Sequence, residues 1–441
     1  MKIAVIGGAG VRTPLLVRGL TASDLPIDRI ALFDVDRPRL ARIGGLAARL
    51  SAGARVVVCS DAAEAIDGAD FVFTSIRAGG TAARASDEAV CLAHNVVGQE
   101  TVGAAGFAMA MRNVPPLVAY AAEIARIAPR AWIVNFTNPV GIVTQAMQSA
   151  AGARVIGICD TPTELFDDVG AALGLDPAAC RFDYFGLNHL GWLREVFHDE
   201  KPQLTRVWSD GDRLRRFYRR PLFDAAFLSE LRLLPTEYLY FYYRPDDAIA
   251  SMKRGGTTRG RVIEELNARL FAALEHVDGD PVAAYEDYLD ARNASYMQLE
   301  TLDASPAAAA AGPLRRPSRS MTSDLAGYDK IALAVVRAIH FDQSRIIPLN
   351  VRNSEAIADL RDDDVVEVPC VVNREGARPD ERRRATGSVR NLLQGVKDYE
   401  RRTIRAAISR DRDDARRALA ANPLVPGAAV DALLDGLQWQ A

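Results

Sequence analysis

The sequence predicts an α/β protein, with a Rossmann-like doubly wound parallel sheet followed by a mixed α+β domain. Three observations predict it. Short, continuously apolar runs alternate with helical patterns through the first third of the chain. The first of these runs passes straight into Gly7-Gly8-Ala9-Gly10. After about residue 165 the alternation gives way to helices mixed with irregular strand-like pieces. The expected division is therefore 1–165 and 166–441.

Ile3–Ile6 is β-branched and apolar throughout, as a strand covered on both faces should be. A helical pattern follows over Pro14–Leu20. Arg29–Asp34 is a second strand that ends on an acid, and Pro38–Leu50 a second helix. Val56–Val58 and Asp70–Thr74 read as strands three and four. Ala119–Ile127 is helical and leads into strand Ala131–Asn135; Val140–Ala150 is helical and leads into strand Arg154–Ile158. In the second domain Arg261–His276 and Gly327–Ile339 read as helices and Val365–Val368 as a strand. Ala304–Ser320, rich in Ala, Pro, Ser and Arg, reads as a surface loop. The Arg-rich, mixed-sign stretch Tyr399–Leu419 reads as a solvated helix face.

Composition narrows the function classes. The 441 residues are 49% hydrophobic and 25% charged, as in packed globular proteins. Lys+Arg is 54 and Asp+Glu is 57, which argues against a nucleic-acid partner. Five cysteines, an odd number with no CxxC pair, argue against a disulfide framework or zinc ribbon and point to a reducing, cytoplasmic setting. The N-terminal apolar run is only IAVI, so neither a signal peptide nor a membrane partner is expected.

The glycine turn points to a dinucleotide. Gly7, Gly8 and Gly10 allow the backbone to turn tightly and approach a pyrophosphate, and the next helix offers it free N–H groups. The GxGxxG register is incomplete, because the third position is Thr13. Asp34 stands 26 residues after Gly8, where an acid would bind ribose hydroxyls. That acid favours NAD over NADP, with Arg37 the residue that argues the other way.

Polar groups also follow the other strands, so they should gather at the carboxyl edge of the sheet. They are Ser75-Ile76-Arg77, then Arg84 and Glu88; Gly98-Gln99-Glu100-Thr101; Asn135-Phe136-Thr137-Asn138; Cys159-Asp160; and Asn188-His189. Cys159 and His189 could together hold a metal while leaving positions open. Spacing alone favours a small buried thiol and a structural histidine, because C-x29-H is no metal motif.

The motifs IGGAG…TP, FDVD, RAGG…R, GQET, NFTNP, ICDTP, FGLNHLGW, EYLYFYY, VRN and EVPC occur in that order. As a set they resemble glycoside hydrolase family 4, most of all its 6-phospho-β-glucosidases. The resemblance implies NAD and a divalent metal, typically Mn2+, as cofactors. It implies a redox-elimination route: hydride abstraction at C3, proton abstraction at C2, elimination at C1, water addition and re-reduction. It implies that Cys159 and His189 are metal ligands and that Tyr238 is the base. It places Arg84, Asn138, Asn188 and Arg259 on the substrate side, Arg259 near a sugar phosphate. Gly8, Gly10 and Asp34 match its NAD end, to which Gly7, Arg37 and Ser75 are neighbours. It implies a phosphorylated glycoside as small-molecule partner and a homodimer or homotetramer. Asp160 departs from the family pattern, where Asn is usual; a carboxylate there could ligate the metal or act catalytically on the leaving group, resembles the phospho-α-glucosidase branch, and leaves an α-linked or unphosphorylated substrate open. From the residues alone, a 2-hydroxy-acid dehydrogenase with lactate/malate dehydrogenase-like architecture and a non-enzymatic NAD-binding scaffold are the competing readings.

Overall fold

The computed structural model describes residues 1–218, 220, 222–275, 280–301 and 328–440. The chain opens with β1 (Lys2–Ile6), α1 (Thr13–Thr21), β2 (Arg29–Phe33), α2 (Arg37–Leu50), β3 (Arg55–Val58), α3 (Ala62–Ile66), β4 (Phe71–Thr74) and α4 (Gly80–Ala93). A two-residue strand, β5 (Gly98–Gln99), leads to α5 (Gly103–Ile127), then β6 (Trp132–Asn135), α6 (Val140–Ala151), β7 (Val155–Gly157) and α7 (Thr161–Leu173).

Strands β3, β2, β1, β4, β6 and β7 lie side by side in that order, and every pairing is parallel. The chain winds outward from β1 to β3 and returns to β1's other side with β4. That reversal opens a crevice at the carboxyl ends of β1 and β4, where open α/β sheets bind ligands. The strands are apolar on both faces because helices cover both: Ile3, Ala4, Val5 and Ile6 are each at most 1% exposed.

The sheet continues without a break. Next come β8 (Cys180–Leu187), β9 (Leu190–His198), β10 (Lys201–Pro202), β11 (Leu234–Pro235), β12 (Arg345–Arg352), β13 (Val365–Asn373) and β14 (Gly376–Pro379). Strand β12 pairs antiparallel with β7, and β13, β8, β9 and β10 extend the sheet from there; with β11 on β9 and β14 on β13 it has thirteen strands. The register sets one row across four strands: Gly157 faces Asn350, Asn350 faces Glu367, and Glu367 faces Gly186. This row brings the β7 end and the β8–β9 turn to one edge.

Several elements differ from the sequence reading. The predicted helix Ala119–Ile127 is only the end of the 25-residue α5, which runs through Pro115 and Pro116. Proline leaves the carbonyl four residues back without its N–H partner. Here the freed Met111 carbonyl lies 3.5 Å from the Arg410 guanidinium, which donates to it. The stretch Tyr399–Leu419 spans two helices, Gly387–Ser409 and Arg412–Ala420, split at Arg410 with φ +58°. Its exposed arginines pair with Asp398, Asp414, Asp431 and Asp435, as a mixed-sign solvated face does. The segment Ala304–Ser320 lies outside the described residues. All five cysteines are unpaired, and no helix among the described residues is long and apolar enough to cross a membrane.

Candidate active site

The glycine turn sits at the β1–β4 crevice. Gly7 has φ +93°, and a Cβ there would stand 2.3 Å from the Ser75 carbonyl oxygen. Only glycine permits that approach. The Gly7 and Gly8 N–H groups both donate to the Phe33 carbonyl at 2.9 Å, and Gly10 N–H donates to Gly7 O at 3.0 Å. Asp34 is fixed beside the turn: one carboxylate oxygen accepts from Ala9 N–H at 3.1 Å and the other from Asp36 N–H at 3.0 Å. Gly7, Gly8, Gly10, Asp34 and Ser75 thus form one cradle, which fits a dinucleotide. Arg37 packs over Phe33, the residue whose carbonyl anchors the turn. Its exposed guanidinium donates to the Cys59 carbonyl at 2.7 Å and to Ser60 O, and lies 5.0 Å over the Phe33 ring.

A second cluster occupies the row across β7, β12, β13 and β8. Cys159 follows β7 and is 1% exposed. Burial, Glu367 and Asp160 push its thiol well up, so without a cation it stays protonated. His189 closes the two-residue turn between β8 and β9 with φ +61°. Burial pulls its imidazole down to about 3, leaving the neutral ring that a metal ligand needs. The Tyr238 ring stacks on His189, with centroids 3.7 Å apart and planes 2° from parallel. Burial and then Glu237 push the Tyr238 hydroxyl above the ordinary tyrosine range, and Cys159 acts on it in the same sense. Among the described residues no three His, Cys, Asp or Glu are grouped to hold a metal ion. The donor set is one thiol and one neutral imidazole, which fits a divalent cation whose remaining positions are filled by substrate oxygens and water.

Around this corner stand the amides. The Asn188 side chain donates to Glu367 Oε1 at 3.3 Å and Asn350 donates to the same oxygen at 2.8 Å. Tyr184 donates to Glu367 Oε2 at 2.7 Å. Burial pushes the Glu367 carboxyl up to about 7, against the pull of these three donors. Asn138 precedes a cis proline; its Oδ1 is buried and accepts no hydrogen bond from the described residues. A buried orphan acceptor is costly, and a ligand donor would satisfy it. Asp160 starts α7 without capping it, and its charge raises the pKa of Cys159, Glu367 and Glu237.

The arginines form a third group. Arg84, on α4, is 3% exposed and pairs with Glu88 at 2.7 Å and Glu100 at 2.6 Å. Glu100 also holds Arg77. Arg259 opens the helix Arg259–Ala273, which packs on α4, and is 8% exposed. Gly260 makes this packing possible: a Cβ there would lie 2.9 Å from Ala85 Cα. Arg259 donates to Ser295 Oγ and, at 3.1 Å, to the Arg292 carbonyl. Burial, then the Arg292 and Arg84 charges, lower its pKa, so three guanidiniums converge here. Such a cluster suits a phosphate dianion.

The sequence reading assigned no role to Gln99, Glu100, Thr101, Glu367, Tyr184 or Asn350. GQET and EVPC were visible as motifs, but nothing local says which partner each residue meets. Tyr184 and Asn350 gave no signal, because their meeting depends on sheet register.

The family model for family 4 glycosyl hydrolases matches residues 2–175, and that for the family 4 C-terminal domain matches residues 184–425. The chain is a family 4 glycosyl hydrolase. This hydrolase is similar to the 6-phospho-beta glucosidase from Thermotoga maritima, solved with manganese, NAD+ and glucose-6-phosphate: 26% identity, 99% of this chain and 97% of that one covered, TM-score 0.80. It is also 28% identical to a phospho-alpha-glucosidase of Clostridium acetobutylicum, over 96% of this chain and 94% of that protein. A Cryptosporidium parvum malate dehydrogenase shares the fold alone, with 13% identity, 92% of this hydrolase and 99% of that chain covered, and TM-score 0.53.

Proposed function

We propose that this family 4 hydrolase cleaves 6-phospho-β-glucosides with NAD and a divalent metal, Mn2+ foremost, by redox elimination. The observation that carries the reading is the stacked His189–Tyr238 pair beside Cys159, on the same sheet edge as the glycine cradle. When bound, NAD+ supplies a hydride acceptor and the cation supplies positive charge beside the sugar oxygens. Asp34 holds the adenosine ribose, and the Gly7–Gly10 turn holds the pyrophosphate. Cys159 and His189 hold the cation. Asn138 Oδ1 and the Asn188 amide orient sugar hydroxyls. Arg84 and Arg259 face the phosphate. Tyr238 removes the C2 proton as its phenolate; because burial keeps the hydroxyl's own proton on the neutral phenol, that phenolate forms only when positive charge is beside it.

A second reading, α-linked substrates, is favoured by Asp160. Its charge acts on Cys159, Glu237 and Glu367, and on this reading it acts on the C1 leaving group. The reading also includes functional halves at 1–165 (dinucleotide) and 166–441 (substrate and assembly), a homodimer or homotetramer, and a cytoplasmic setting. The test is a panel of p-nitrophenyl α- and β-glycosides, with and without a 6-phosphate, assayed with NAD+ and Mn2+ and again with EDTA. Turnover of the phosphorylated β-glycoside, abolished by EDTA and without NADH build-up, is expected. Failure on every glycoside, or turnover untouched by EDTA, refutes the proposal.

A further inference from the structure

The two nitrogens of His189 stand in different surroundings. Nδ1 meets the Thr101 hydroxyl, while Nε2 has no hydrogen-bond partner among the described residues. A neutral imidazole carries one N–H, so the partner at Nδ1 decides which nitrogen keeps a lone pair. If the Thr101 hydroxyl donates, Nδ1 is bare. If it accepts, Nδ1 bears the hydrogen and Nε2 is bare.

Gln99 settles the direction. Its Oε1 lies 3.0 Å from the Thr101 N–H and 3.2 Å from the Thr101 hydroxyl oxygen. The backbone N–H can only donate, so the amide must present its oxygen; turning the amide over would set two donors against each other. Gln99 Oε1 thus accepts from both Thr101 groups, the hydroxyl donating to it at 3.2 Å. With its one hydrogen spent on Gln99, Thr101 Oγ1 faces His189 as an acceptor. The relay runs Nδ1–H to Thr101 Oγ1 and Thr101 O–H to Gln99 Oε1. Gln99 is 6% exposed and His189 4% exposed, so little water competes for these bonds. The stacked Tyr238 ring fixes the imidazole plane, and Thr101 fixes which edge faces which way.

We propose that Gln99 and Thr101 lock His189 in the Nδ1–H form, so that a bare Nε2 is aimed at the divalent cation and Thr101 is a positioning residue for metal capture. The proposal rests on the reading of His189 as a metal ligand, and deepens it. Outer partners of this kind are worth about 10–100-fold in metal affinity.

The chain has five histidines, so histidine-selective 15N labelling of the full-length, metal-free protein resolves the ring nitrogens, with His189→Gln assigning the signals. The expected spectrum shows His189 with a protonated Nδ1 and a bare Nε2. Thr101→Val is expected to abolish that preference and to weaken Mn2+ binding, read as free Mn2+ by electron paramagnetic resonance, about 10–100-fold. Thr101→Ser, which keeps the hydroxyl, is expected to restore both. A wild-type His189 with hydrogen on Nε2 overturns the proposal without any variant. So does a Thr101→Val protein with unchanged Mn2+ affinity. If His189→Gln itself leaves Mn2+ affinity unchanged, the ligand reading fails, and the tautomer measured in the wild type is judged separately from it.

Discussion

Replacing Glu100 by Gln tests the charge network that holds the arginines. Glu100 Oε2 accepts from Arg84 at 2.6 Å, and Oε1 from Arg77. Side-chain exposure is 12% for Glu100, 3% for Arg84 and 29% for Arg77. The glutamine keeps the shape and one acceptor, removes the charge, and turns an N–H2 toward a guanidinium. Arg84 still has Glu88, while Arg77 loses its only ion pair among the described residues. Removing one partner of a buried pair costs about 3–5 kcal/mol; partial exposure of Arg77 puts this case near 3. Unfolding entropy for 441 residues is about 0.9 kcal/mol per kelvin. Scanning calorimetry near neutral pH should therefore show Tm lower by about 3 °C.

The same pair makes a pH prediction. Burial acts to raise the Glu100 pKa, but Arg77 and Arg84 outweigh it and hold the carboxyl well below its ordinary value. A depressed carboxyl stabilises the fold fully above its unfolded pKa, about 4.3, and loses that contribution as pH falls toward the folded value. Glu100→Gln has no such contribution to lose. The gap between wild type and variant should narrow by about 1.4 kcal/mol for each pH unit below about 4.3. An unchanged Tm at neutral pH, or a gap constant from about pH 7 to about pH 3.3, refutes the reasoning.

Tyr238→Phe keeps the ring that stacks on His189 and removes the hydroxyl; kcat should fall about 10²–10⁴-fold with NAD+ affinity and Tm unchanged, and a loss confined to KM would speak against the base role. Arg259→Lys keeps the charge but loses the fork that holds Ser295 and the Arg292 carbonyl. KM should rise for phosphorylated glycosides alone, as steady-state kinetics on both classes would show. Gly7→Ala places a Cβ 2.3 Å from the Ser75 carbonyl. Fluorescence titration should show weakened NAD+ binding, and wild-type affinity would remove the turn from the cofactor site.

The parallel half was legible because its strands are buried on both faces and so read as unbroken apolar runs between helices. Ile3–Ile6, the glycines and Asp34 could be placed from spacing, since strand, turn and acid are close in the chain. Only the end of helix α5 is legible locally, since Pro115-Pro116 is in itself a helix-stop signal; what keeps the helix continuous includes Arg410, 299 residues away from Met111. Cys159, His189 and Tyr238 were named through resemblance to a family, and their stacking and burial come from strand register and the β8–β9 turn. Glu367 shows the limit most clearly. Its three donors, Tyr184, Asn188 and Asn350, stand 183, 179 and 17 residues from it in sequence, and no local pattern marks them as a group.

The central claim is that a proton leaves C2 during turnover and that Tyr238 takes it. Turning over a 6-phospho-β-glucoside in D2O and reading deuterium at C2 of the sugar product by mass spectrometry and NMR tests this most directly. Deuterium at C2 is expected in the wild-type product, and none when the glucoside is incubated with Tyr238→Phe. A wild-type product bearing only its original hydrogen at C2 would contradict it.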